Sequence, residues 1–168
     1  LTVPSVGDGA ENDYLAYLFG APARETAGGR SLYIPETLQS VTIAGGAEKV
    51  GDYAFYGALG LREIKGLAAV SEVGDYAFAE CKQRSSLDLG GVRAFGRSVF
   101  LDCVALTEVS LPETVAGSGI ELFGGCTALA KVDLPENGIA LQYNAFVGTT
   151  CAAAAENWKD GMLIIDGY

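Results

Sequence analysis

Four cysteines, twenty-one carboxylates and no histidine bound the chemistry open to this 168-residue chain. Without an imidazole, the Ser-His-Asp and Cys-His nucleophilic arrangements are excluded. Cys81, Cys103 and Cys126 first suggest disulfides or a metal site, the uses that exported chains make of cysteine. Tetrahedral zinc, however, needs ligands that converge. Glu63, Asp88, Glu108 and Asp133 can be read as the paired carboxylates of a glycosidase. The acidic stretch Asp8 to Asp13 is a calcium candidate, but it lacks the alternating ligands and distal Glu of an EF-hand, which favours a surface loop. The 23 glycines include no phosphate-binding loop with its following Lys and Ser or Thr. Tyr53, Tyr56 and Tyr76 offer an aromatic contact for sugar or protein, or else cover a turn with their hydroxyls in water.

All but the acidic stretch fall on one period. Phe55, Phe78, Phe100, Phe123 and Phe146 are spaced by 23, 22, 23 and 23 residues, and the segment Val50-Gly-Asp-Tyr-Ala-Phe55 returns as Val73-Gly-Asp-Tyr-Ala-Phe78. Such a period marks a solenoid, in which one turn cannot bury its own apolar face and stacks on the next. The full register, Phe-x-x-Cys-x-x-Leu-x-x-Val-x-Leu-Pro, holds from Phe100 to Pro112 and again from Phe123 to Pro135. Ala58 replaces Cys in one turn, Arg84 replaces Leu in another, and Ser118 interrupts the apolar column Val50, Val73, Phe95 and Leu141.

This register decides among the chemistries. Cysteines at one repeat position form an internal column whose Cβ vectors run parallel, so buried thiols acting as small apolar filler are expected instead of bridges or a metal. Alternation such as Val109-Ser110-Leu111 predicts short parallel strands, about 4.8 Å apart, ended by Pro112 and Pro135. The four carboxylates occupy outward strand positions, which favours a solvated face over a glycosidase site. Asp52 and Asp75 are placed to cap a short helical or 3₁₀ turn on the opposite side.

The ends depart from the rhythm. Tyr14 to Gly20, with Phe19, is expected to hold the place of the aromatic segment, followed by an exposed loop over Ala21 to Tyr33. Ala152 to Trp158 reads as a helical insertion, with Leu163 and Ile165 supplying a last strand. Regular repeats are thus expected over 38–141, flanked by irregular units at 1–37 and 142–168. A start at Leu1 and a stop at Tyr168, after an apolar run, read as a mature or excised piece of a longer protein. A net charge of -10 argues against nucleic acid as a partner. No run is long enough to insert in a membrane.

The pattern Ile/Val-Gly-x-x-Ala-Phe-x-x-Cys-x-x-Leu-x-x-Val-x-Leu-Pro resembles the BspA-like leucine-rich repeats of bacterial surface proteins, clearly so over about Leu38 to Leu141. The resemblance implies an α/β-type, right-handed leucine-rich-repeat solenoid with one short strand per turn and little regular helix. It further implies an exported, extracellular or cell-surface segment that adheres to or binds a host or bacterial surface protein or glycan. The residues available to a partner are Glu63, Lys65, Asp88, Glu108, Ser110, Lys131 and Asp133, on the outward side of the strands. That face has no aromatic anchor of the kind on which tight interfaces centre. No cofactor, metal or catalysis is expected, and the chain is expected to be a monomer. A structural spacer presenting another domain is the alternative.

Overall fold

Val41, Ile64, Val109 and Val132 each stand between two polar residues, and in the computed structural model each is the buried centre of a short strand. The structure describes residues 1–3, 15–19, 33–44, 46–83, 89–136, 139–142, 144–154, 158–159 and 162–163. In chain order its strands are β1 (Thr2–Val3), β2 (Ser40–Ile43), β3 (Lys49–Val50), β4 (Glu63–Lys65), β5 (Glu72–Val73), β6 (Ala94–Phe95), β7 (Glu108–Ser110), β8 (Lys131–Asp133), β9 (Trp158–Lys159) and β10 (Met162–Leu163). One helical turn, α1 (Thr150–Ala153), precedes β9.

The strand ribbon is parallel, as its period requires. β1, β2 and β4 pair with Ser40 opposite Glu63 and Thr42 opposite Lys65, and β7 pairs with β8 with Glu108 opposite Lys131 and Ser110 opposite Asp133. Beside it runs a second parallel ladder, β3-β5-β6, continued by single bridges through Gly117 and Ala140. The apolar column at Val50, Val73 and Phe95 marks this ladder in the sequence, but two-residue strands show no alternation by which to name them.

Between ladder and ribbon lies the aromatic segment of each coil. Phe55, Phe78, Phe100, Phe123 and Phe146 form a continuous stack, with ring centroids 5.4 to 5.7 Å apart and planes within 14°. The residue two before each ring has a left-handed backbone: Tyr53, Tyr76, Ser98, Glu121 and Asn144 have φ between 50° and 58°. The residue two after it does the same, at Gly57, Glu80, Asp102, Gly125 and Gly148. Between these two left-handed residues the N–H groups of the first, third and fifth positions face the next coil. Tyr53, Phe55 and Gly57 accordingly donate to the carbonyls of Asp75, Ala77 and Ala79 at 2.8 to 2.9 Å, and the same bonds link Phe78 to Val99, Phe100 to Leu122 and Phe123 to Ala145. Inter-coil bonds at buried backbone offset the roughly 1–2 kcal/mol that each non-glycine residue loses in this conformation.

The one 22-residue spacing is absorbed at a corner. The Phe100 coil runs from buried Leu111 to buried Val115 through Pro112, Glu113 and Thr114, whereas the Phe78 coil crosses from Leu89 to Val92 through two glycines only. Gly90, at φ 51°, supplies the tighter turn, and Val92 N–H closes it on the Leu89 carbonyl at 3.1 Å.

Three expectations are corrected at the ends. Leu15, fully buried, takes the place assigned to Phe19: its N–H donates to the Ala54 carbonyl at 2.8 Å, the bond that the phenylalanines make in later coils. Phe19 lies at the end of the 3₁₀ segment Leu15–Phe19 and packs on the core from its edge. The helix expected over Ala152 to Trp158 is instead Thr150–Ala153, started by the Thr149 hydroxyl accepting from Ala152 N–H, and Trp158 is in a strand. β10, containing Leu163, pairs antiparallel with β9 as a hairpin and does not extend the ribbon among the described residues. Asp8 to Asp13, Ala21 to Leu32 and Ile165 lie outside the described residues.

Candidate functional site

Alternation along each strand puts the outward residues in two files, and the ladder register sets their order. The first file runs Ser40, Glu63 and then, across the undescribed 84–88, Glu108 and Lys131; the second runs Thr42, Lys65, Ser110 and Asp133. Glu63, Lys65, Glu108, Ser110 and Lys131 are exposed and Asp133 is half-exposed. Asp88, with Ser86 and Arg84, lies outside the described residues.

Charges on this face are largely paired with each other. Lys65 meets Glu63 at 3.4 Å within β4, and Lys131 meets Asp133 at 2.8 Å within β8. Asp133 also accepts from the Ser110 hydroxyl at 2.8 Å across the ladder. Hydrogen bonds from Lys131 and Ser110 hold its carboxyl below the ordinary range. Exposed pairs of this kind contribute little to stability, yet they order the side chains that a partner would meet.

The other candidates have structural occupations. All four cysteines are buried and none forms a disulfide. Cys81, Cys103 and Cys126 each donate from Sγ to the carbonyl of the phenylalanine one coil earlier, Phe55, Phe78 and Phe100, at 3.0 to 3.3 Å. The column is therefore more than apolar filler: a polarised S–H ties each coil to its predecessor. Thr149, in the same column, donates instead to its own coil, at the Phe146 carbonyl. Among the described residues no group of three carboxylates or thiols is placed to hold a metal ion.

Asp52 and Asp75 reach beyond their own turns. Asp52 Oδ1 accepts from Asp75 N–H at 2.9 Å and Asp75 Oδ1 accepts from Arg97 N–H at 2.7 Å, each carboxylate reaching forward to the following coil. The space comes from Gly74 and Gly96, where a Cβ would stand 2.4 to 2.5 Å from the carboxylate oxygen. Tyr53 stacks on Tyr76 at 5.0 Å and takes the edge of Tyr56 at 5.8 Å. The Tyr56 hydroxyl donates to Glu80, so this hydroxyl is not simply in water. Burial, and then Glu80, push its ionisation above the ordinary tyrosine range.

One feature has no sequence signal. An open groove of about 400 Å³ crosses three successive coils beside Arg62 and Lys82. Its residues come from positions outside the repeat pattern, at the corner between aromatic segment and strand, so only the stacking of coils assembles them. No described helix is long and apolar enough to cross a membrane.

A family model described as "BspA type Leucine rich repeat region" matches residues 29–152 in six copies. Among solved structures, a leucine-rich repeat protein of T. pallidum is 29% identical, with a TM-score of 0.56 over 57% of this chain and 45% of its own. A leucine-rich repeat protein from Bacteroides ovatus is 29% identical, with a TM-score of 0.54 over 63% of this chain and 30% of its own. A leucine-rich cell surface protein from Faecalibacterium prausnitzii is 28% identical, with a TM-score of 0.58 over 67% of this chain and 31% of its own. The chain thus spans less than half the length of each. No curated protein matches it.

Proposed function

The chain belongs to the BspA-type leucine-rich-repeat family, and from that premise we propose that it is a noncatalytic binding or adhesion segment of a bacterial surface protein. A similar chain from Faecalibacterium prausnitzii is described as a cell surface protein, which supports a surface or extracellular location. The observation that carries the reading is the segregation of side chains along the strands. Among the described residues every inward centre is apolar and buried, and the outward files are polar, mixed in sign and mostly exposed, so a ladder of backbone bonds holds them at fixed spacing. A host or bacterial surface protein or a glycan is the partner such a face suits. Glu63, Lys65, Asp88, Glu108, Ser110, Lys131 and Asp133 are the residues assigned to it.

Binding of the chain to an array of purified extracellular-matrix proteins and glycans, with and without the paired changes Glu108→Ala and Lys131→Ala, tests this. Both residues are exposed, so the fold stands. Saturable binding that weakens in the double variant supports the strand face; saturable binding left unchanged removes it. A second reading, a structural spacer, is favoured by the internal pairing of Lys65 with Glu63 and Lys131 with Asp133, and it expects no ligand anywhere on the array.

A further inference from the structure

We propose that the groove at Arg62 and Lys82 binds the carboxylate of an acidic sugar, a hexuronate unit of a polysaccharide. The proposal stands apart from the strand face and does not rest on it. Lys49, Lys65 and Lys131 each hold a carboxylate within 3.5 Å, whereas among the described residues neither Arg62 nor Lys82 is in an ion pair. With Arg62 and Lys82 against the single carboxylate of Glu36, the groove's described lining is net positive on a chain of net charge -10, and within a Debye length of about 8 Å local charge outweighs the distant excess. A guanidinium fork takes a carboxylate through two parallel N–H bonds, with the ammonium as a second, adjustable donor.

The floor under these groups is rigid. Gly60 lies so close to the preceding coil that a Cβ there would stand 1.8 Å from the Glu36 carbonyl oxygen. The N–H groups of Arg62 and Glu63 both donate to the Gln39 carbonyl, at 2.9 and 3.1 Å, which fixes the backbone that carries Arg62. Around this floor the lining is suited to hydroxyls. The amides of Gln39 and Gln83 donate and accept, the Glu36 carboxylate accepts, and half-buried Leu59 offers an apolar patch for the C–H side of a ring. Glu36 decides between the two carriers of carboxylate. Its charge opposes either polyanion, but it accepts from the hydroxyls that flank the carboxylate of a uronate, which the acidic side chains of a peptide do not offer. The groove's volume falls within the roughly 300–1,000 Å³ of small-ligand pockets.

The test is calorimetric titration of the chain with tri-galacturonate, with its neutral methyl ester, and with a tetra-glutamate peptide. Tri-galacturonate is expected to bind saturably, roughly tenfold or more weaker in Arg62→Gln, which loses a charge-assisted pair. The further change Lys82→Gln abolishes binding, and Lys49→Gln, which removes a cation already paired with Glu72, binds as the parent does. Because Arg62 and Lys82 are exposed, the parent's urea midpoint in each variant shows that lost binding is not lost fold. Absence of tri-galacturonate binding, equal binding of the methyl ester, tighter binding of the peptide, or indifference to Arg62→Gln each overturns the assignment.

Discussion

Phe100→Ala is the sharpest test of the stacked interior. Phe100 is 1% exposed, lies between Phe78 at 5.7 Å and Phe123 at 5.4 Å, and takes the edge of Phe95 at 5.9 Å. Removal of a buried aromatic ring costs about 3–5 kcal/mol. Aromatic pairs contribute about 0.5–1.5 kcal/mol each beyond area, so a ring stacked on both faces belongs at the upper end of that range. Phe146 is the internal control: among the described residues it has one stacked partner, Phe123 at 5.5 Å, and is 7% exposed, so Phe146→Ala should cost about 1 kcal/mol less. Urea unfolding followed by circular dichroism, under reducing conditions, reads both differences. A central change in a nearest-neighbour stack also weakens the coupling of the coils on either side, so the Phe100→Ala transition should broaden or split. A loss below about 1 kcal/mol at Phe100, or a larger loss at Phe146 than at Phe100, would refute the account of the aromatic ladder.

Asp75→Ala should cost about 1–2 kcal/mol in the same assay, because the Arg97 N–H loses its acceptor, while Asp75→Asn, which keeps an oxygen, should cost less than half as much. Gly66→Ala should be far more damaging than Gly125→Ala. At Gly66, with φ 88°, a Cβ stands 2.2 Å from the Ile43 backbone carbonyl, whereas at Gly125 it meets only the movable Asp102 carboxylate, in a conformation that Glu80 and Asp102 already adopt in their own coils. The Asp133 carboxyl should titrate below an ordinary aspartate by NMR and move up in Lys131→Ala. Its folded value is depressed, so its small contribution to stability is present above the unfolded value and fades as pH falls through the folded one. Thiol reagents should label the native chain slowly at all four cysteines and quickly once urea unfolds it.

How much of this was legible depended on whether a position repeats by residue type or by backbone shape. Phe55 to Phe146, the cysteine column and the strand centres repeat by type, so the period alone places them in the interior and sets the two outward files. The left-handed positions two before each ring repeat by shape only. Tyr53, Ser98 and Glu121 share a conformation that none of them favours, and no composition signal marks it. Leu15 was hidden for the converse reason: an aliphatic side chain fills the aromatic column, and Phe19, the ring that looked the part, packs at the edge. Asp52 and Asp75 were recognised as acceptors, but which N–H they reach depends on the room left by Gly74 and Gly96 in the following coil. The residues of the Arg62 groove line up on the period, Glu36 with Leu59 and Lys82 and Gln39 with Arg62, but share no residue type, so no motif marks them.

The glycine corner from Leu89 to Val92 bears on how a chain of this kind can change length over time. Loss of one residue there is silent, because the stack of rings and the thiol bonds on either side stay in phase. Within the aromatic segment the same loss would move every later donor onto the wrong carbonyl. Small insertions and deletions are therefore tolerated at corners, and larger ones where a whole coil is gained or lost, since each coil offers its neighbour the same set of bonds.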